Sequence, residues 1–154
     1  MIDFKDQQQL QTLISDEFSD WSNRLLITQR MIDDFAAISG DHLWIHTDPQ
    51  RCVTDSPFKT TIAHGFLILS VLSQLHAGAD ISKQIGGYKQ IMNYGSDKLR
   101  FMSPVPVDSE IHARSRVAAI NVQEHKTTAT LEWQVAVVGQ ENLSLVYHMT
   151  LVFM

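Results

Sequence analysis

The sequence predicts an α+β protein in which an antiparallel sheet packs around one buried helix. Its 154 residues suit one domain with one core. Residues 64–77 are apolar around most of a helical circumference, which is typical of a central helix, and Gly78 is expected to end it. Several segments of the second half alternate apolar and polar side chains, which is typical of strands with one buried face. A buried helix followed by consecutive strands favours an antiparallel sheet.

Two helices and one strand are predicted before the central helix. Residues 4–17 carry apolar side chains at helical spacing, and residues 23–27 are a short strand candidate. A clearer helix is expected to follow Thr28, a suitable N-cap, and to end at Gly40. Residues 41–60 contain Asp-Pro and Ser-Pro steps and are therefore expected to form turns.

The central helix and the strands after it are expected to supply the core. The helix contributes Phe66, Leu67, Leu69, Val71, Leu72 and Leu75, which we expect to be buried on nearly every side. The predicted strands cover residues 88–94, 97–102, 110–121, 127–138 and 143–153. Residues 139–142, Gly-Gln-Glu-Asn, are a hairpin turn candidate between the last two.

Composition excludes several classes of protein. The net charge of −5 argues against an electrostatic nucleic-acid binder, and the longest apolar run is far too short to cross a bilayer. The only cysteine, Cys52, excludes an internal disulfide and a cysteine-based zinc cluster. The first ten residues are polar and acidic, unlike a signal peptide, so we expect a cytoplasmic protein without a membrane partner.

The segment after Gly40 holds the side chains best suited to acid–base chemistry. Asp41 and His46 lie five residues apart in a turn-prone stretch and flank an apolar patch. A carboxylate and an imidazole that meet in a dry pocket are able to hold one water molecule and move its proton. Spacing alone leaves a plainer interpretation open, with Asp41 as a turn residue and His46 as a hydrogen-bonded loop histidine.

Metal binding is a further alternative for the same segment. His42 and His46 would lie one helical turn apart, but the sequence offers no third ligand and no HExxH-type glutamate beside them. We therefore expect no metal.

The start of the central helix is the second candidate region. Gly65 has no side chain to block a substrate carbonyl, and the free N–H groups of a first helical turn are able to donate to an oxygen that gains charge. The alternative is that Gly65 only eases helix packing. His64 is interpreted as a cap or as a first-turn hydrogen-bonding residue.

Three segments together resemble the MaoC-like dehydratases, the R-specific enoyl-CoA hydratases, including the branch often labelled nodulation protein N. They are SGDHLWIHTDP (39–49), TIAHGFLILS (61–70) and NYGSDKLRFMSPVPVDSEIHARSRV (93–117). The resemblance covers roughly residues 25–154. It implies a single hot-dog fold, a long central helix wrapped by a curved antiparallel sheet, over residues 23–154. An N-terminal helical leader would then occupy residues 1–22.

The resemblance also assigns residues. The family places its catalytic aspartate and histidine five apart after Ser-Gly, which corresponds to Asp41 and His46, and its oxyanion donor is the glycine amide that corresponds to Gly65. Many members carry Asn-Pro within this motif, where Leu43 and Trp44 stand here.

Four other residues are expected to contribute to substrate binding. Trp44 is expected to influence the size of the acyl pocket, and Asn93 to help position substrate or water, with a structural role in its strand as the alternative. His64 and Phe66, at the start of the central helix, complete the set.

By resemblance, the activity is reversible hydration of trans-2-enoyl thioesters to (R)-3-hydroxyacyl thioesters in fatty acid metabolism. The substrate would be an acyl-CoA or acyl-carrier thioester, no cofactor is implied, and the unit would work as a homodimer. Two alternatives remain: an acyl-CoA thioesterase of the same fold, and a non-catalytic acyl-CoA or acyl-carrier-binding module.

Overall fold

The computed structural model describes residues 1–78 and 80–154. In chain order its elements are β1 (Ile2–Asp3), α1 (Gln7–Gln11), β2 (Leu25–Ile27), α2 (Gln29–Ser39), α3 (Trp44–Thr47), α4 (Pro49–Asp55), α5 (Gly65–Ser70), a 3₁₀ turn (Val71–Gln74), α6 (Ile81–Gln84), β3 (Ile85–Gly86), β4 (Ile91–Phe101), β5 (Ser109–Val122), β6 (Thr127–Val137) and β7 (Leu143–Phe153).

One five-stranded sheet forms the body of the molecule. Its strand order is β2-β5-β6-β7-β4, and every neighbouring pair is antiparallel. The α+β class and the antiparallel sheet predicted from the sequence are therefore confirmed. The β6–β7 hairpin turns at Gly139, whose φ of +84° lies in the left-handed region that favours glycine.

The central rod consists of α5 and the 3₁₀ turn that follows it, and it packs against the sheet. Leu67, Ile68, Val71 and Leu72 of the rod are buried in one cluster with side chains of β5, β6 and β7. This burial holds the start of α5, and therefore Gly65, at a fixed place beside the sheet.

The rod is shorter than the predicted helix, and one of its faces is open. The α-helical part ends at Ser70, whose hydroxyl donates to the Phe66 carbonyl at 2.7 Å. Such a bond from a serine to the carbonyl four residues earlier competes with helical geometry, and the next turn is 3₁₀. The prediction that Phe66 is buried is wrong, because Phe66 is 59% exposed.

The segment over 41–60 holds two short helices where turns were expected. The Asp48-Pro49 step starts α4, because the Asp48 carboxylate accepts the Arg51 N–H at 3.0 Å and proline tolerates the first helical position. The prolines of residues 41–60 predicted turns, but Pro49 begins a helix instead.

The strands over 88–102 and the first helix also differ from expectation. The two strands predicted there are a single strand, β4, whose pairing with β7 is interrupted by bulges near Gly95 and Asp97. The helix predicted over 4–17 is limited to α1. Before it, β1 pairs in parallel with β3.

Residues 1–22 pack against the far end of the sheet. Phe4 and Leu10 are buried in a second cluster with Ile81, Ile85 and Phe153. Backbone hydrogen bonds extend this contact, because the Ser15 and Ser19 N–H groups donate to carbonyls of β5. In the described part of the chain, no helix has the length and apolar character needed to cross a membrane.

Candidate active site

The end of α2 places Asp41 at the mouth of the site. Gly40 ends this helix in the left-handed conformation, with φ of +79° and its N–H bonded to the Ala36 carbonyl. The Ser39 hydroxyl then accepts the Asp41 N–H at 3.2 Å, and the Asp41 carboxylate accepts the Leu43 N–H at 3.3 Å. The carboxylate is thereby oriented locally while its side chain stays exposed.

His46 lies in α3 and is held by the segment that leads into the rod. Its Nδ1 lies 2.7 Å from the Ile62 carbonyl oxygen. Because a carbonyl oxygen only accepts, Nδ1 carries the proton in this contact, and Nε2 of the neutral ring presents a lone pair. The half-buried His46 is therefore oriented as a proton acceptor at Nε2.

His64 is the N-cap residue of α5 and is only 3% exposed. Its Nε2 lies 2.9 Å from the backbone carbonyl oxygen of Asp41, so this nitrogen donates and ties the Asp41 loop to the rod. Its ring stacks on His46 with centroids 3.9 Å apart and lies tilted against Phe35 at 5.1 Å. His64 thus holds the Asp41 loop by a hydrogen bond and the His46 ring by stacking.

These contacts bring His64 together with Asp41 and His46, which lie about twenty residues earlier in the chain. One nitrogen or carboxylate oxygen of each of Asp41, His46 and His64 lies within 4.8 Å of the others. Hydrogen bonds to water are about 2.8 Å long, so two acceptors at such a separation are able to share one water molecule. The expectation that Asp41 and His46 face one cavity agrees with this geometry.

Gly65 follows directly after His64. Within the described chain, neither its N–H nor that of Phe66 has a hydrogen-bond partner. A Cβ added at Gly65 would lie 2.6 Å from the nearest ring atom of Phe101, closer than side chains tolerate. Glycine is therefore required by the close approach of an aromatic ring, and its unpartnered N–H belongs to a residue that lines the cavities described next.

Two cavities meet at His46 and Gly65. The Asp41 cavity, about 440 Å³, is also lined by Asp41, His64 and Phe66. The Phe101 cavity, about 230 Å³, extends past Phe101 to Ser144. Both lie beside the first turn of the rod, so a ligand that crosses Gly65 would contact both.

The other predicted site residues lie in different places. Phe66 lines the Asp41 cavity, and its ring meets the edge of Phe101 at 5.2 Å. Trp44 stacks on the Arg51 guanidinium at 4.3 Å and lines neither cavity. Asn93 lines a separate cavity of about 610 Å³ near the other end of the rod. The structure therefore does not bring Trp44 and Asn93 together with Asp41.

The alternative in which His42 and His46 bind a metal from one helical turn is wrong. The helix that holds His46 begins at Trp44, so His42 precedes it, and His42 is exposed. It does not belong to the cluster of Asp41, His46 and His64.

Three polar residues support the site and were missed from the sequence. Gln29 donates to the His46 carbonyl at 2.8 Å and accepts the hydroxyl hydrogen of the buried Thr61 at 2.5 Å. Ser144 is buried in the Phe101 cavity, where its hydroxyl has no partner among the described residues. Gln29 and Ser144 lie outside the three segments that carry the resemblance, and Thr61 begins one of them without an expected role, so only tertiary structure reveals their contacts.

Cys52 lies beneath the same loop, with its sulfur 3.7 Å from the Trp44 carbonyl oxygen. Burial, helped by the Asp48 carboxylate, raises the pKa of its thiol. The thiol therefore stays protonated at neutral pH and is a poor nucleophile.

Known proteins are similar to this chain in both sequence and fold. Residues 12–138 match the family model described as MaoC like domain. The chain is similar to 3-hydroxyacyl-thioester dehydratase Z of Mycobacterium tuberculosis, with 42% identity over 122 residues, 79% of this chain and 76% of that protein. It is also similar to Nodulation protein N of Rhizobium leguminosarum bv. viciae, with 38% identity over 123 residues, 74% and 72% of the two chains.

Among solved structures, the fold resembles the (R)-hydratase from A. caviae involved in PHA biosynthesis. The TM-score is 0.65 at 27% identity, and the match covers 90% of this chain and 96% of that one. The expected hot-dog fold is thereby confirmed.

Proposed function

The chain belongs to the MaoC-like dehydratase family, and we propose that it adds water to trans-2-enoyl thioesters to give (R)-3-hydroxyacyl thioesters, or catalyses the reverse dehydration. The observation that carries this proposal is the convergence of Asp41, His46 and the free Gly65 N–H at one cavity wall. The relative named 3-hydroxyacyl-thioester dehydratase Z and the (R)-hydratase neighbour support the same reaction class.

Asp41 and His46 would hold the attacking water. The Asp41 carboxylate and Nε2 of neutral His46 are both acceptors, so a water between them donates one O–H to each. The two lone pairs of its oxygen then point away from both groups, and one of them is available to attack Cβ of an enoyl thioester in the cavity. As the C–O bond forms, one acceptor takes a proton from the water, and the pair returns a proton to Cα.

Gly65 would stabilise the charge that this addition creates. Attack at Cβ of a conjugated thioester moves an electron pair onto the thioester oxygen, giving an enolate that collapses when Cα is protonated. A backbone N–H already held in place is worth most at such an oxygen, because it need not reorganise during the reaction. The unpartnered N–H of Gly65 supports this role.

The carrier arm would pass through the Phe101 cavity. This cavity is lined mainly by apolar side chains, and Ser144 offers a buried hydroxyl with no partner among the described residues. A pantetheine arm carries amides that suit such a hydroxyl, and buried polar groups gain most from a partner. Coenzyme A and an acyl-carrier protein share this arm, so both are substrates under the proposal.

We also propose that the enzyme works as a cytoplasmic homodimer through β4. This strand lies at the edge of the sheet, and its exposed apolar side chains include Met92 (47% exposed), Tyr94 and Phe101. An edge that is both apolar and unpaired is a template for association. Because Phe101 also lies against Gly65, a partner at this edge would border the site.

Product analysis with crotonyl-CoA tests the proposed reaction. Hydration removes the conjugated enoyl absorbance and leaves the thioester bond intact, so we expect loss of that absorbance without free thiol, and a 3-hydroxybutyryl-CoA of R configuration. Release of free thiol as fast as the enoyl absorbance is lost would instead indicate a thioesterase. Tight binding without any turnover would indicate a non-catalytic acyl-CoA-binding module.

A further inference from the structure

A cluster that the sequence does not reveal lies at the wall of the Asp41 cavity. Asp41 follows α2, His46 lies in α3, and His64 caps α5, yet a potential ligand atom of each is within 4.8 Å of the others. We propose that these three side chains form a binding site for one divalent transition-metal ion, with Zn²⁺ as the best-suited ion, and that the ion blocks the acid–base site.

The hydrogen bonds of both histidines leave one ring nitrogen of each free to bind an ion. His46 Nδ1 donates to the Ile62 carbonyl at 2.7 Å, and His64 Nε2 donates to the Asp41 carbonyl at 2.9 Å. The lone pairs are therefore on His46 Nε2 and His64 Nδ1. A histidine that binds a metal through one nitrogen typically donates its other N–H to a carbonyl or carboxylate in this way, which fixes the ring.

His64 supplies an independent sign that a ligand belongs here. His64 is only 3% exposed, and its Nδ1 has no hydrogen-bond partner among the described residues. A buried polar atom without a partner is unusual and costs free energy. A metal ion at the cluster would give that lone pair a partner.

The donor set suits Zn²⁺ in both type and number. Two imidazole nitrogens and one carboxylate oxygen are ordinary zinc ligands at about 2.0–2.2 Å, and three protein ligands leave a fourth position for water. Tetrahedral ligands at those lengths lie roughly 3.4 Å apart. The cluster must therefore contract, and the stacked His46 and His64 rings, 27° from parallel, must tilt so that their lone pairs converge on the ion. The exposed Asp41 carboxylate accepts only the long Leu43 N–H bond from the described residues, so it is able to move inward. Among the residues that the structure describes, no lysine or arginine lines this cavity to repel the ion.

Metal binding and hydration would exclude each other. The ion would take the His46 lone pair and the Asp41 carboxylate that the proposed mechanism uses to hold the attacking water. Inhibition is thus the part of the inference that rests on the proposed function, whereas binding itself rests only on the cluster. We expect Zn²⁺ to inhibit reversibly, with full recovery when a chelator removes it.

Titration calorimetry of the full chain with ZnCl₂, after removal of bound metals by a chelator and buffer exchange, tests the site. We expect one ion per chain in the wild type and affinity losses on the order of 100-fold in His64→Gln and in Asp41→Asn. His76→Gln changes an exposed histidine outside the cluster and is expected to bind like the wild type. Asp41 is exposed, so this variant remains informative if His64→Gln does not fold.

Co²⁺ gives a second readout that does not depend on activity. A low-coordinate site with nitrogen and oxygen ligands produces visible absorption bands, which we expect in the wild type and in His76→Gln but not in His64→Gln. The absence of saturable Zn²⁺ binding, or binding that His76→Gln abolishes and the cluster variants retain, would overturn the site. If Zn²⁺ binds but crotonyl-CoA is not hydrated, the proposed function fails and the metal site stands.

Discussion

At Gly65, packing and the proposed chemistry make separate demands on one residue. Its residue type is required by the Phe101 ring, which leaves no room for a Cβ, while its proposed role uses only its backbone N–H. Those two demands meet at one position because β4 and the first turn of α5 touch there. The glycine itself was identified from the sequence, but the ring that requires it was not, because Phe101 lies 36 residues further along the chain.

Replacing Gly65 by alanine tests the two demands together. The added Cβ forces Phe101 or the backbone to move, and overpacking of this kind costs roughly 1–3 kcal/mol of stability. A displaced N–H no longer meets the thioester oxygen, so we expect crotonyl-CoA hydration to fall on the order of 100-fold. Rates and thermal unfolding are to be measured on the same preparations.

Gly95→Ala is the matched control for that change. A Cβ at Gly95 meets nothing within 4 Å, and its φ is not in the left-handed region, so both stability and rate should remain close to those of the wild type. Equal hydration rates in Gly65→Ala and the wild type would remove the glycine amide from the mechanism.

At the scale of elements, the sequence predicts where periodic patterns persist and fails where short polar contacts decide. Helix α2 was predicted from Thr28 to Gly40 because both of its caps are local, and the structure has the same limits. Strand β7 was predicted at its observed limits because its large apolar residues alternate with mostly smaller or polar ones. The end of α5 was not, because it depends on the Ser70 hydroxyl and not on any change in hydrophobic pattern.

The candidate site shows the same division. Asp41 and His46 are near each other in sequence and were singled out by spacing, with their catalytic roles implied by the family resemblance. His64 was expected to cap the helix or bond in its first turn and to contribute to substrate binding, but not to contact Asp41 and His46. Its Nε2 bond to the Asp41 carbonyl spans 23 residues, and the Thr61 bond to Gln29 spans 32. No periodic pattern reports contacts of this kind, because each depends on how α2 and α5 are packed together.

At the scale of the whole molecule, the edge of the sheet is the feature that an isolated chain leaves unexplained. Within the described residues, strand β4 pairs only with β7, and it carries exposed apolar side chains. Natural proteins protect such edges, and a second copy would do so here. A dimer at β4 would also enclose the Phe101 cavity, since Phe101 belongs to this strand.

Sedimentation or light scattering tests the dimer. The chain mass is 17.5 kDa, so we expect a particle of about twice that mass. Met92→Lys adds a charge at the β4 edge and should shift the particle toward a monomer, whereas Val53→Lys, at an even more exposed apolar position on α4, should not. A wild-type monomer at micromolar concentration, or identical behaviour of the two variants, would contradict the dimer.

The central claim is that Asp41 and His46 together move the proton of the attacking water, and variant kinetics test it most directly. Crotonyl-CoA hydration is to be measured for Asp41→Asn, for His46→Gln and for Asp34→Asn, an exposed carboxylate on α2 paired with Arg30. We expect kcat losses on the order of 10²–10⁴ in the first two variants and a wild-type rate in the third. Wild-type kcat in both Asp41→Asn and His46→Gln would contradict it.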